Sequence, residues 1–180
     1  MTSQEVPSPS GEAAASRRDF VAAVTAVAAA GAAAATGSAQ AQAQAGPNVR
    51  HSNPSGMTQP TAYSQVVEVN GPHRLVFVAG QTGVDASGKA AKEFRAQAVQ
   101  AFENIKTALA SVGGSMDNVV RLVTYLTDIE QNADAYREVR ASFFGNKSAL
   151  PASTLLQITR LANPSFFIEV DATAILPPRA

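Results

Sequence analysis

The spacing of apolar residues predicts one long amphipathic helix near the middle of the chain. After Glu93 the apolar positions recur in steps of four or three, which places on one helix face Phe94, Ala98, Phe102, Ile105, Leu109 and Val112. Gly113 and Gly114 follow, and glycine most often adopts the left-handed conformation that ends a helix. We therefore predict a helix that begins near Glu93 and stops at these glycines.

A second, shorter helix is predicted further along the chain. Asn132 is a residue type that caps helix N-termini. The residues that then fall on one side of a helix are Tyr136, Val139, Arg140 and Phe143. Gly145 is expected to end this helix.

Strand patterns occur before, between and after the two predicted helices. The segments rich in apolar or β-branched residues are 63–69, 75–79, 119–126 and the stretch that follows Pro151. Asn70 and Gly71 form a strong turn pair after the first of them. Gly80 ends the second segment, so residues 63–79 are expected to form two successive strands.

The last strand, residues 166–176, alternates with a period of two. One face carries Phe166, Ile168, Val170, Ala172, Ala174 and Leu176, and the other carries Phe167, Glu169, Asp171, Thr173 and Ile175. The first face is expected to pack on the helices. The second places two carboxylates among apolar neighbours, so it is not an ordinary core face.

The element order β-β-α-β-α-β-β indicates an α+β fold in which two helices cover one face of a sheet. The uncovered face still bears Phe167 and Ile175. Such a face needs a partner, and association of several copies is the simplest solution. The pattern alone does not fix the number of copies.

Residues 1–45 resemble an export signal. The run Ser16-Arg17-Arg18-Asp19-Phe20 matches the S-R-R-x-F form of the twin-arginine motif, and an alanine-rich apolar stretch follows it. Cleavage is expected after one of three small residues, Ala41, Ala43 or Ala45. The apolar stretch is too short and alanine-rich for a comfortable membrane span, so we expect no stable membrane anchor after cleavage.

Three regions follow from this interpretation: a removed signal at 1–45, an extended lead-in at 46–62 rich in Pro, Gly, Ser and Asn, and a folded domain at 63–178. The protein is then expected to be periplasmic or secreted, and cytoplasmic if the signal is not used. Two alternatives stay open: a disordered alanine-rich tail that happens to contain two arginines, and a retained anchor.

Composition narrows the chemistry. The 14 basic residues balance the 14 acidic ones, which gives no electrostatic reason to expect binding to DNA, RNA or an anionic membrane. The chain has no cysteine, so disulfides, thiolate metal sites and a cysteine nucleophile are excluded. His51 and His73 are far apart in sequence, and no ligand-spaced cluster predicts a metal site.

Several motifs, taken in order, resemble the RidA family, also called YjgF/YER057c/UK114. VFVAGQ at 76–81 is similar to the family's strand ending in SGQ, and YSQ at 63–65 is similar to its GPYSQ segment. The other matching segments are 104–106, 113–120, 124–128, 143–145, 151–152 and 168–170. No single motif is specific to the family, but the order of all the motifs over about residues 60–177 is specific to it.

The resemblance implies a fold similar to the small trimeric chorismate mutase, in which a homotrimer forms three clefts between subunits. It implies a small-molecule ligand and hydrolysis of reactive enamines or imines to a keto acid and ammonia. It implies no metal or organic cofactor.

The resemblance also implies the site residues. Glu169 matches the carboxylate that positions or activates water, a general acid/base role. Tyr63 matches the cleft tyrosine, while Gly80 and Gln81 match the cleft end of the strand and Gly80 allows close approach of a ligand. Alternatively, Glu169 with Asp171 merely solvates a channel and Tyr63 is a packed strand residue.

One departure from the family's pattern concerns the strand after Pro151. Imine-hydrolysing members begin it Pro-x-Arg-Ser/Thr, and the arginine holds the substrate carboxylate. Here Ser153 stands in that place and offers one rotatable donor and no charge. Arg137 on the second helix is a candidate substitute cation, although a solvated helix charge is its simpler interpretation.

Three functions therefore remain open. The first is a trimeric imine or enamine hydrolase in which Glu169 handles the proton, with activity on amino-acid-derived imines doubtful because of Ser153. The second is a binding module that captures a small metabolite without turnover. The third is a chaperone-like interaction protein with an inert cleft.

Overall fold

The computed structural model describes residues 46–179. The predicted export signal and its cleavage sites lie outside the described residues. The described elements are β1 Asn48–Ser52, β2 Val66–Asn70, β3 Arg74–Thr82, α1 Phe94–Ser111, a 3-10 turn at Met116–Asn118, β4 Val119–Leu126, α2 Ile129–Phe143, β5 Ala152–Gln157 and β6 Ile168–Leu176.

Four strands form a mixed sheet in the order β3-β6-β4-β5. β6 pairs antiparallel with both β3 and β4, whereas β4 and β5 run parallel. The parallel pair is connected through α2, as a parallel crossover requires. The last strand along the chain therefore lies inside the sheet, with a neighbour on each side.

The core lies between this sheet and the two helices. The face of β6 that the sequence assigned to the helices is buried, with Ile168, Val170 and Leu176 fully so. The α1 stripe supplies the other half, and its Phe102 stacks on Phe143 of α2 with ring centroids 5.1 Å apart. Each such side chain contributes about 1.5–3 kcal/mol when fully buried. The predicted α+β arrangement, with both helices on one face, is confirmed.

α1 ends as its glycines predict. Gly113 has φ 79°, the left-handed region that glycine enters without steric cost. The amide of Gly114 then donates to the carbonyl oxygen of Leu109 at 2.8 Å. This bond satisfies one of the carbonyls that the last helical turn leaves free.

α2 begins earlier than predicted, so the capping role assigned to Asn132 is wrong. Asp128 has an extended backbone, and its carboxylate accepts a hydrogen bond from the Gln131 amide at 2.9 Å. The amide of Ile129 is satisfied by the side-chain oxygen of Gln157 at 2.9 Å. Asn132 lies inside the helix and donates back to the Asp128 carbonyl. The helix stops at Phe143, before Gly145, because Phe144 is already extended.

The lead-in contains a strand that the sequence did not predict. β1 pairs antiparallel with β2 over its whole length, from Asn48 opposite Asn70 to Ser52 opposite Val66. The segment is tied to the rest of the domain where β5 begins, since the Ser64 hydroxyl donates to the Leu150 carbonyl at 2.6 Å. No helix within residues 46–179 is long and apolar enough to cross a membrane.

Candidate functional site

Glu169 lies on the sheet face that the helices leave open. It is paired with Tyr125 of β4 and Thr82 of β3. Residues paired across strands share a face, and the buried face belongs to the alternate positions Ile168 and Val170. The open face also carries Phe77, which is 76% exposed.

A bulge in β3 brings Glu169 against the backbone of Gly80. The register of β3 on β6 shifts between Val78 and Gln81, which leaves Ala79 and Gly80 outside the ladder. A Cβ atom added to Gly80 would lie 2.7 Å from Cδ of Glu169. Only glycine leaves this space to the carboxylate. The bulge thus brings the protein's own carboxylate against the backbone of Gly80. Close approach of a ligand to Gly80 stays a prediction.

Two features of its surroundings raise the pKa of the Glu169 carboxyl group. Partial burial raises its pKa, and the negative charge of Asp171 two residues along the same face raises it further. A raised pKa brings a carboxyl group closer to the range in which it can both accept and donate a proton. No protein donor to this carboxylate occurs among the described residues.

Gln81 makes a hydrogen bond within the bulge. Its backbone is paired with Val170, and its side-chain amide donates to the Ala79 carbonyl at 2.9 Å. The bond spans the two residues that the ladder leaves out. Gln81 therefore positions Gly80, and through Gly80 the Glu169 carboxylate.

Ser153 lies on the opposite face of the sheet from Glu169. It is in register with Leu122, which is fully buried beneath the helices. Its hydroxyl is close enough to Tyr136 of α2 to act on the pKa of that phenol, which burial nevertheless raises. The Tyr136 hydroxyl meets Thr124 at 2.9 Å. The position where the family's arginine was expected thus adjoins a buried hydroxyl cluster.

Ser153 of β5 and Glu169 of β6 are also two strand spacings apart, which is about 10 Å across the sheet. β4 lies between the two strands that carry them. The strand that follows Pro151 does not bring its hydroxyl to the carboxylate within one chain.

Tyr63 is half-buried in the segment that precedes β2. Its neighbour Ser64 is buried, and the Ser64 amide donates to the Pro151 carbonyl at 3.3 Å. His51 of β1 meets the Leu150 carbonyl at 2.8 Å beside it. These bonds place the Tyr63 backbone next to the start of β5, the strand that carries Ser153.

Arg137 is an exposed helix residue in this structure. Its guanidinium pairs with Asp134, one turn earlier on α2, at 2.6 Å, and its side chain is 61% exposed. Such a surface pair contributes about 0–1 kcal/mol. Arg137 also lines a cavity beside α2, together with Arg140 and Lys147.

Arg140 is a candidate site residue that the sequence motifs do not indicate. It is only 7% exposed, although it carries a charge. The helical pattern counted it as a packing position between Tyr136 and Phe143. An arginine on the apolar stripe of a helix is rare enough to have been a signal, because charged residues are almost never fully buried without a partner.

Two buried or half-buried amides on α1 hold the loops around the open face. Gln97 is fully buried, donates to Ala91 and Ser165 carbonyls, and accepts from the Phe167 amide at 2.8 Å. Asn104 donates to the Val84 carbonyl at 2.8 Å, just beyond β3. These contacts fix the segments that flank Glu169. Within residues 46–179, no three His, Asp or Glu side chains are grouped so that they could hold a metal ion.

The chain folds as an α+β protein. Both helices lie on one face of its mixed sheet, and the Glu169 carboxylate lies on the other. The family model described as Endoribonuclease L-PSP matches residues 56–176. The chain belongs to this family, and the resemblance to RidA proteins inferred from the sequence motifs is confirmed.

Named relatives agree with that assignment. A RutC family protein of Aquifex aeolicus is 33% identical over 112 residues, which are 61% of this chain and 86% of the relative. A 2-iminobutanoate/2-iminopropanoate deaminase of Rattus norvegicus is 34% identical over 123 residues, 65% of this chain and 82% of the relative. The crystal structure of YyfB from Yersinia pestis, a Rid family protein of unknown function, matches with a TM-score of 0.64 at 31% identity, over 72% of this chain and 99% of that one.

Proposed function

We propose that the protein is an exported homotrimer that binds a small metabolite in clefts between its subunits and hydrolyses an imine or enamine there. The observation that carries the catalytic part is the Glu169 carboxylate, which lies on the open face against Gly80 with a raised pKa. The similarity to a protein named 2-iminobutanoate/2-iminopropanoate deaminase supports the reaction class.

The chemistry needs one group that moves a proton twice. With a protonated imine as substrate, Glu169 accepts a proton from water as the water oxygen bonds to the imine carbon, which gives a neutral carbinolamine. The carboxyl group then returns this proton to the nitrogen as the carbon–nitrogen bond breaks. It next takes up the proton of the hydroxyl group, so that ammonia leaves and a carbonyl remains. General acid/base assistance of this kind is worth roughly 10²–10⁴-fold in rate.

The open face supports an assembly. Phe77 and Leu75 of β3 are 76% and 51% exposed. Leu156 of β5 lies on the same face and is 44% exposed. Exposed apolar side chains that line one face favour burial against another surface. Because Glu169 and Ser153 lie on opposite faces, a cleft that uses both must take them from two subunits.

A direct test is an imine-hydrolysis assay that couples an amino-acid oxidase to semicarbazide trapping. The purified protein is expected to compete with semicarbazide for the imine, and Glu169→Gln is expected to lose at least tenfold of that activity. Equal rates for wild type and Glu169→Gln would end the catalytic proposal. Cell fractionation of the full chain, compared with an Arg17→Lys, Arg18→Lys variant, tests export.

The second candidate is a trimer that binds without turnover. Ser153 favours it, because its hydroxyl brings no permanent charge to the place where a carboxylate anchor was expected. Binding of an imine analogue together with an absence of hydrolysis in the same assay would select this alternative. Near-balanced charge gives an RNA substrate little support.

A further inference from the structure

A cavity of about 310 Å³ lies between α2 and the segment before β2. Its lining includes three cations, Arg137, Arg140 and Lys147, and apolar surface from Phe144 and Leu150. No Asp or Glu of the described chain lines it. Positive charge thus collects around a partly apolar space.

Arg140 is the most deeply placed of these cations. One guanidinium nitrogen, Nη1, donates to the carbonyl oxygen of Ala62. The other two, Nε and Nη2, have no hydrogen-bond acceptor anywhere in residues 46–179, and both are shielded from solvent. The Phe144 ring, 5.6 Å from the guanidinium carbon, gives partial compensation. A buried charge left without a counter-charge is costly.

The two unpartnered nitrogens of Arg140 indicate which kind of acceptor fits them. Nε and Nη2 carry the hydrogens along one edge of the guanidinium, and this edge matches the two oxygens of a carboxylate. We propose that the cavity is a carboxylate site in which Arg140 holds both oxygens of a small aliphatic acid and Phe144 and Leu150 contact its apolar tail. Arg137 and Lys147 attract the anion from the cavity rim.

Entry to this site involves the segment that covers the guanidinium. Thr61 and Ala62 are exposed, and the Ala62 carbonyl is the present partner of Arg140. Because Nε and Nη2 are shielded from solvent, the segment moves outward so that an entering carboxylate reaches these two nitrogens. The proposal deepens the proposed function, on which it rests for the ligand's role as substrate: it assigns the anchoring cation to α2 instead of β5.

The test uses the full chain and butanoate, with butanamide as an uncharged probe of the same size. Ligand-observed NMR titrations are expected to show that butanoate binds and that butanamide binds at least tenfold more weakly. Arg140→Met should weaken butanoate binding by roughly tenfold to a hundredfold, the usual worth of a charge-assisted contact. Arg95→Gln is the control, because Arg95 is an exposed arginine on α1 that pairs with Glu138.

Two outcomes would overturn the site: equal binding of the two probes, or unchanged butanoate binding in a folded Arg140→Met. If that variant does not fold, hydrogen exchange on the wild-type protein decides, since butanoate but not butanamide should alter exchange of residues 58–63. Butanoate binding without imine hydrolysis would count against the proposed catalysis alone. Hydrolysis without butanoate binding would count against the carboxylate site alone.

Discussion

Glu169 occupies the space that a side chain at Gly80 would fill: a Cβ there would lie 2.9 Å from Cγ of Glu169 and 2.7 Å from its Cδ. The carboxylate is therefore held between two neighbouring strands. Its position depends on a residue of β3 that has no side chain of its own.

Gly80→Ala is expected to push the Glu169 carboxylate out of this space and to lower imine hydrolysis at least tenfold. Because the displaced group is the end of a flexible side chain, we expect the loss of stability to stay near about 1 kcal/mol. Gly145→Ala is the matched control, since a Cβ there meets nothing within 4 Å. Activity retained in Gly80→Ala would show that the carboxylate position does not matter.

The pH dependence of stability should report the environment of Glu169. Its pKa is raised in the folded protein, so folding favours the protonated form, and stability falls as pH rises through the folded pKa. Glu169→Gln is therefore expected to melt no lower than wild type at pH 7, and the difference should shrink towards pH 4. Circular dichroism melts across this range measure it. A variant less stable at pH 7 than at pH 4, relative to wild type, would contradict the raised pKa.

Gln97 should be a large contributor to stability. Gln97→Ala removes three part-buried hydrogen bonds to backbone groups, those of Ala91, Ser165 and Phe167. We expect a loss of about 2–4 kcal/mol in urea unfolding, since each orphaned group costs about 1–3 kcal/mol and some regain water. Gln131→Ala, at an exposed position of α2, should change stability by less than about 0.5 kcal/mol.

Phe77 tests the assembly. Phe77→Asp places a charge on the open face at the edge strand β3, and light scattering should then show single chains where the wild type gives the mass of three. Val99→Asp is the control, because Val99 is 41% exposed on α1, on the other side of the sheet. A monomeric mass for the wild-type protein would contradict the proposed intersubunit cleft, regardless of the mass of the variant.

Elements whose side chains alternate between core and surface could be predicted from the sequence. The α1 stripe and the core face of β6 follow their predicted positions because burial enforces a period on the residue types. The other face differs from the prediction, since Ile175 is buried and Phe167 packs against the core instead of lying uncovered. β4 runs over the residues that its β-branched composition indicated. The glycine stop of α1 has a local steric cause, so it too is visible in the sequence.

Elements held by backbone or by single polar contacts could not be predicted in this way. β1 pairs through its amides and carbonyls and needs no apolar pattern. Asp128 and Asn132 are both residue types that cap helices, and the tertiary bond from the Ile129 amide to Gln157 supports the earlier start. The direction of Ser153 depends on strand register, and the buried contacts of Arg140 depend on the fold of a segment 78 positions away in sequence.

The division of Glu169 and Ser153 between two sheet faces has a genetic consequence. If a working pocket is completed across a subunit boundary, two defective alleles, each altered on a different face, could restore one another when co-expressed, because mixed assemblies would contain some boundaries with both intact halves. Purified subunits would likewise lose specific activity on dilution, even while every polypeptide stays folded.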